Sequence, residues 1–236
     1  MEAQEIYERL WQKAALAFAA GRPGIDPHLP EKADDPRRGM TLLLRPEPPV
    51  QQTIHAFLGE LNRVAPGQYF YRPEEFHVTV LAIIPGSERW QDKMRQLPAC
   101  RLMIANVLRE HREFSIAFRG VTATAEAVMI QGYPRDDALL RIRNHLRKEF
   151  RNSPLSQELD RRYRIHAAHL TVMRFCRPDT DWQRLRAVLE ANRATPFGET
   201  RVRSLQLVLT DWYASADRVK VLEEYRLSGS NDAPAD

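Results

Sequence analysis

Apolar residues recur at a four-residue step near the start of the chain, at Ile6, Leu10, Ala14 and Phe18, and predict a helix over residues 2–20 with that face turned inward. It ends at Gly21. The following stretch, Gly21 to Gly39, carries Pro23, Pro27, Pro30 and Pro36 among mixed charges and reads as an extended linker, wrapped over the surface or left mobile. Met40 to Leu44 is a short apolar strand. Val50 to Val64 places Ile54, Phe57, Leu58 and Leu61 at helical spacing, and Pro66-Gly67 then turns the chain. Tyr69 to Tyr71 is a short strand, and a longer one runs from Phe76 through Ile83 and Ile84 to a turn at Pro85-Gly86.

The second half alternates in the same manner. The later part of residues 88–110 is helical, with Leu102, Ala105 and Leu108 or Val107 turned inward, and strands follow at Phe114 to Phe118 and Ala127 to Gln131. Asp136-Asp137 opens a helix through Leu139, Leu140, Ile142, Leu146 and Phe150, and Arg147-Lys148 near its end suits the helix dipole. A strand lies within Tyr163 to Phe175, and Asp179-Thr180-Asp181 caps a helix through Trp182, Leu185, Val188 and Leu189. Arg201 to Thr210 alternates as a strand, with Arg218 to Leu227 as its hairpin partner. Ser228 to Asp236 is small and polar, a tail expected to be disordered. This pattern alone gives an α+β class.

Two of the predicted strands share a polar signature. Phe76-His77-Val78-Thr79-Val80 is echoed by His169-Leu170-Thr171-Val172, 92 positions later (169 − 77). Side chains of a strand alternate between faces, so His77 and Thr79 look one way while Phe76, Val78 and Val80 look the other; His169 and Thr171 sort identically. Each strand uses its apolar face for packing and holds an imidazole and a hydroxyl rigidly on the opposite face. One such tetrapeptide recurs by chance, but a pair separated by half a domain is far more specific.

The residue types define a chemistry. Opening a phosphodiester with water requires one group to take a proton from the water and another to give one to the departing oxygen. Histidine serves both tasks, because its unperturbed pKa of about 6.5 allows either form near neutrality. Two Thr hydroxyls on fixed strands donate to the phosphoryl oxygens, where charge accumulates, without reorganising. Such a reaction needs no metal.

The paired His-x-Thr-x motifs, with x apolar, resemble the signature of the 2H phosphoesterase superfamily, which includes RNA 2′,3′-cyclic phosphodiesterases and 2′-5′ RNA ligase-like proteins. The resemblance starts near Met40 and implies one bilobal α+β domain over residues 40–227, with two antiparallel sheets facing a central cleft and helices outside. It implies His77 and His169 as the acid/base pair, Thr79 and Thr171 as phosphate ligands, and no cofactor or metal. RNA-type members typically expel the 3′ oxygen and leave a 2′-phosphate. The expected partner is an RNA 3′ end or a small nucleotide cyclic phosphate; 2′-5′-linked oligonucleotides and RNA ligation fit the same four residues. Many members carry a basic residue where this chain has Arg174, although strict alternation would put Arg174 on the Leu170 and Val172 face unless a bulge or strand end intervenes. Tyr71 and Tyr133 are candidate base-stacking residues, with packing as their alternative role. The helix of residues 1–20 and the linker of residues 21–39 lie outside the resemblance, and packing on the domain is the expectation for the helix.

Composition adds little. A charged fraction of 28% and a hydrophobic fraction of 43% indicate a globular chain. The formal net charge of +4, carried mostly by Arg, suits a phosphate-rich partner, since guanidinium groups bind phosphate in a bidentate manner. Cys100 and Cys176 form neither a disulfide framework nor a metal-binding spacing, and a reduced compartment is expected. His166, three residues before His169, points to the other face of a strand, and no His-x-His or Asp/His cluster near the motifs supports a metal-dependent hydrolase. No apolar run reaches the roughly 20 residues that span a bilayer. Glu2, Glu5, Glu8 and Arg9 stand where a signal peptide would be basic and then apolar, so a cytoplasmic location is expected. A monomer is the expected state, and a non-catalytic RNA-binding protein is the alternative to the enzyme.

Overall fold

A computed structural model describes residues 3–156, 159 and 165–229. The predicted tail from Ser230 onward lies outside the described residues. Two antiparallel sheets form the framework. The first has the order β3 (Val78–Ser87), β1 (Arg38–Leu44), β8 (Ser204–Thr210) and β9 (Lys220–Arg226); the second has the order β2 (Tyr69–Phe70), β6 (Leu170–Arg174), β5 (Ala127–Pro134), β4 (Phe114–Ala123) and β7 (Pro196–Val202). Helices α1 (Ala3–Ala19), α2 (Pro48–Val64) and α6 (Trp182–Ala191) pack on the second sheet, while α3 (Trp90–Lys93), α4 (Leu97–Leu108) and α5 (Ala138–Arg151) lie against the first. Local chemistry fixes the ends of two of these. Asp181 accepts the Arg184 amide at 2.9 Å to cap α6, and Asp136 accepts the Ala138 amide at 2.8 Å as α5 begins.

The chain crosses between sheets twice in ways the pattern of hydrophobicity conceals. Alternation over residues 201–210 predicts one strand, but the ladder breaks at Arg203, so that Thr200 and Arg201 pair with β4 in one sheet while Leu205 and Leu207 pair with β1 or β9 in the other. Tyr69 and Phe70 pair with Arg174 and Met173 of the second sheet, and eight residues on the chain has entered the first. The two lobes therefore share covalent seams. In α4, Val107 and Leu108 point inward as expected, together with Cys100 and Ile104, whereas Leu102 points outward and Ala105 is half-buried.

Helix α1 buries Tyr7, Trp11, Ala14 and Phe18, a stripe rotated from the predicted one, which leaves Ile6 and Leu10 half-buried at its flank. Polar pairing explains the rotation. The Tyr7 hydroxyl donates to the Gly132 carbonyl and accepts from the Gly132 amide, both at 3.0 Å, and Phe18 stacks on Trp182 at 6.1 Å between centroids. Glu8 adds an ion pair with Arg193 at 2.5 Å. The Pro-rich segment that follows is strapped down: Asp26 donates its amide to the Phe175 carbonyl at 2.9 Å, and Lys32 reaches Tyr69 at 2.7 Å and Ser215 at 3.1 Å.

Candidate active site

The two His-x-Thr strands come from different sheets and converge on one cavity of about 180 Å³ lined by His77, Thr79, His169, Thr171, Arg174 and Tyr71. Its far wall is the loop after β8, from Thr210 to Ala214. In both strands the alternation carries His and Thr toward the cavity while Phe76, Val78, Leu170 and Val172 are fully buried on the other side. Each strand then breaks its own alternation. Val80-Leu81 and Val172-Met173 are consecutive buried pairs, and the ladder registers skip a residue at both places, the mark of a β-bulge. The bulge in β6 turns Arg174 back into the cavity, against what strict alternation gives, and its counterpart 92 positions earlier, Ala82, also lines the cavity.

Arg174 is held in place by side chains around it. Its Nε donates to the Tyr71 hydroxyl at 2.9 Å, and its guanidinium lies 5.7 Å from the Tyr213 ring and 6.0 Å from the Trp212 ring. Tyr71 is buried and serves as this anchor, so its ring is not available as a stacking platform. Tyr133 does not join the cavity. Its hydroxyl lies 2.7 Å from Gln4 Oε1 and its ring packs on Tyr7 under α1, because the strand parity of β5 sends it to that face.

The chain is similar to known proteins. The family model of the 2′-5′ RNA ligase superfamily matches residues 46–212, well over half of the chain, and spans both motifs. The chain belongs to that superfamily, the 2H phosphoesterases. Among solved structures, TT0787 of Thermus thermophilus is 18% identical with a TM-score of 0.57, covering 82% of this chain and 99% of its own. LigT of E. coli complexed with 3′-AMP is 14% identical with a TM-score of 0.53, covering 81% of this chain and 99% of its own, and LigT complexed with ATP is 15% identical at the same TM-score and coverage. These likenesses establish the shared fold. No curated protein matches the chain. No helix among the described residues is long and apolar enough to cross a membrane.

Within this 2H fold the two imidazoles differ. His77 Nδ1 lies 2.8 Å from the Glu75 carbonyl oxygen, and since a carbonyl only accepts, Nδ1 carries the hydrogen and Nε2 is the titrating nitrogen. His169 Nδ1 is buried with no hydrogen-bond partner among the described residues. Burial lowers the pKa of both rings. For His77 the carbonyl opposes that effect; for His169 the nearby positive charge of Arg143 and the approach of His77 add to it and bring it to about 4.

Arg143 belongs to no motif in the sequence. Only 1% exposed, it reaches from α5 to donate to the carbonyls of Thr79 at 2.7 Å, Val80 at 3.1 Å, His166 at 2.8 Å and Ala167 at 3.1 Å. Those are the bulge of one motif strand and the approach to the other. Arg147, one turn on, donates to the Ile165 carbonyl at 3.2 Å. A guanidinium thus ties the strands that carry the two histidines. The sequence signal is the spacing of Arg143 and Arg147 beside the apolar stripe of Ile142 and Leu146, which reads equally well as a solvated flank.

Proposed function

We propose that the chain is a metal-independent phosphodiesterase that hydrolyses the 2′,3′-cyclic phosphate of RNA ends or nucleotides to a 2′-phosphate. The observation that carries this reading is the convergence of His77, Thr79, His169 and Thr171, from two sheets, on one cavity that also holds Arg174. Thr79, Thr171 and Arg174 bind the nonbridging oxygens and offset the charge that grows on them. His169, held neutral, takes the proton of the attacking water. Burial lowers the pKa of both rings, but at His77 the Glu75 carbonyl opposes that effect, so His77 delivers a proton to the leaving 3′ oxygen.

The test is turnover of an RNA oligonucleotide ending in a 2′,3′-cyclic phosphate, in EDTA. The wild type should act, and His77→Ala and His169→Ala should each lose activity by a factor of about 100 or more. A wild type that leaves both this RNA and 2′,3′-cyclic AMP intact would remove the reading.

A further inference from the structure

A second cavity of about 560 Å³ opens beside the first and shares His169, Thr171, Arg174 and Trp212 with it. Its outer wall is α1, through Ile6, Arg9 and Leu10, and its inner wall includes Met129 and Ile165. Ile6, Arg9 and Leu10 stand at i, i+3 and i+4, so they form one face of the helix, and it is the face left over when Tyr7, Trp11, Ala14 and Phe18 turn to the sheet. Trp212, 38% exposed, borders both cavities.

Size and chemistry identify the occupant. The catalytic cavity is smaller than the roughly 300 Å³ at which pockets for small organic ligands begin, so it has room for the phosphodiester but not for a whole nucleotide. The rest of the substrate must extend into space continuous with the phosphate site. The adjoining groove supplies that space, is lined mainly by apolar side chains, and has an accessible indole at its junction with the phosphate ligands. A flat, largely apolar group with a polar rim fits such a place. A nucleobase joined through ribose to the phosphate has that character, and stacking on an aromatic ring tolerates any base.

We propose that this groove is a nucleobase subsite, with Trp212 as its platform and α1, outside the span matched by the superfamily, as the wall that makes the chain select nucleotides over simpler phosphodiesters. The proposal rests on the phosphodiesterase reading for the placement of the phosphate, but its test does not require turnover. Adenosine 2′-monophosphate and inorganic phosphate are titrated calorimetrically into the full chain, the Trp212→Leu variant and the Ile6→Gln/Leu10→Gln double variant. The wild type should bind the nucleotide at least about tenfold more tightly than phosphate, and each variant should reduce that ratio by about fivefold or more. Thermal melting of each variant separates loss of the subsite from loss of the fold, and an intact melt with an unchanged ratio overturns the proposal. So does a wild type that binds the two ligands equally. Activity on 2′,3′-cyclic AMP reports on the phosphodiesterase reading by itself: nucleotide preference without turnover keeps the subsite and removes the reaction.

Discussion

The strands that lead from His77 and His169 share a His-x-Thr-Val pattern, a doubled apolar pair and a bulge at the same place, yet they present different groups to the cavity. In β3 the imidazole is fixed by a carbonyl and the position after the bulge is Ala82; in β6 the imidazole has an Nδ1 without a partner among the described residues, and the position after the bulge is Arg174. The duplicated frame thus sets an imidazole and a hydroxyl on each side of one cavity, while the difference between the two imidazoles comes from groups outside the motif, the Glu75 carbonyl at His77 and the Arg143 charge near His169.

Removing the link between the strands is the largest disturbance. Arg143→Ala strips the donors from four backbone carbonyls, and at roughly 1–3 kcal/mol for each buried group left unpaired, urea unfolding should show a loss of about 3 kcal/mol or more. A loss below about 1 kcal/mol would mean that the strands hold their positions unaided. Next in size is Arg174→Ala, expected to lower kcat/KM on a cyclic nucleotide by about 30-fold or more, since charge-assisted hydrogen bonds contribute roughly 1.5–3 kcal/mol. Placing the guanidinium on the opposite strand, as Ala82→Arg in the Arg174→Ala background, should restore part of that loss if the bulges are equivalent. No recovery in a folded protein would show that the two strands are equivalent in backbone only.

The asymmetry also predicts a pH effect. His169 titrates near 4 in the folded chain against about 6.5 when unfolded, so between these values the unfolded chain binds more protons. Stability contributed by the neutral ring is present above about 6.5 and is lost as pH falls toward 4. The melting temperature should drop across that window, and His169→Gln should flatten the drop; an equal slope in the variant would place the titrating group elsewhere. The smallest effect is that of Tyr71→Phe, which removes the oxygen held by Arg174 and should cost a fewfold to tenfold in kcat/KM, in line with one hydrogen bond of about 0.5–1.5 kcal/mol.

These contrasts also show what can be read from residues alone. The four motif residues and their common cavity are legible because period-two alternation puts His and Thr on one face of each strand and the apolar residues on the other. Arg174 is legible as a candidate but its facing is not, since a bulge adds one residue and reverses parity, and Val172-Met173 is the trace it leaves in the sequence. The inward face of α1 is misplaced by periodicity because Tyr7 and Trp11 score as amphipathic, whereas the paired hydrogen bonds of Tyr7 to Gly132 decide the rotation. Arg143 is hidden for a related reason: whether an arginine in a helix meets water or four carbonyls depends on the loop and strand ends brought to it by the tertiary fold. Tyr133 shares its strand with residues near the site but faces the helix.

The strap between α1 and β1 has a consequence for the folding order of the molecule. Lys32 contacts Tyr69 and Ser215, and Asp26 is joined to Phe175 and Tyr213, so the strap is fastened to residues that follow it in the chain by 37 to 187 positions. The strap can be fastened only once those later residues are in place, so α1 is held in its final position by contacts that close after the strands they reach have been made.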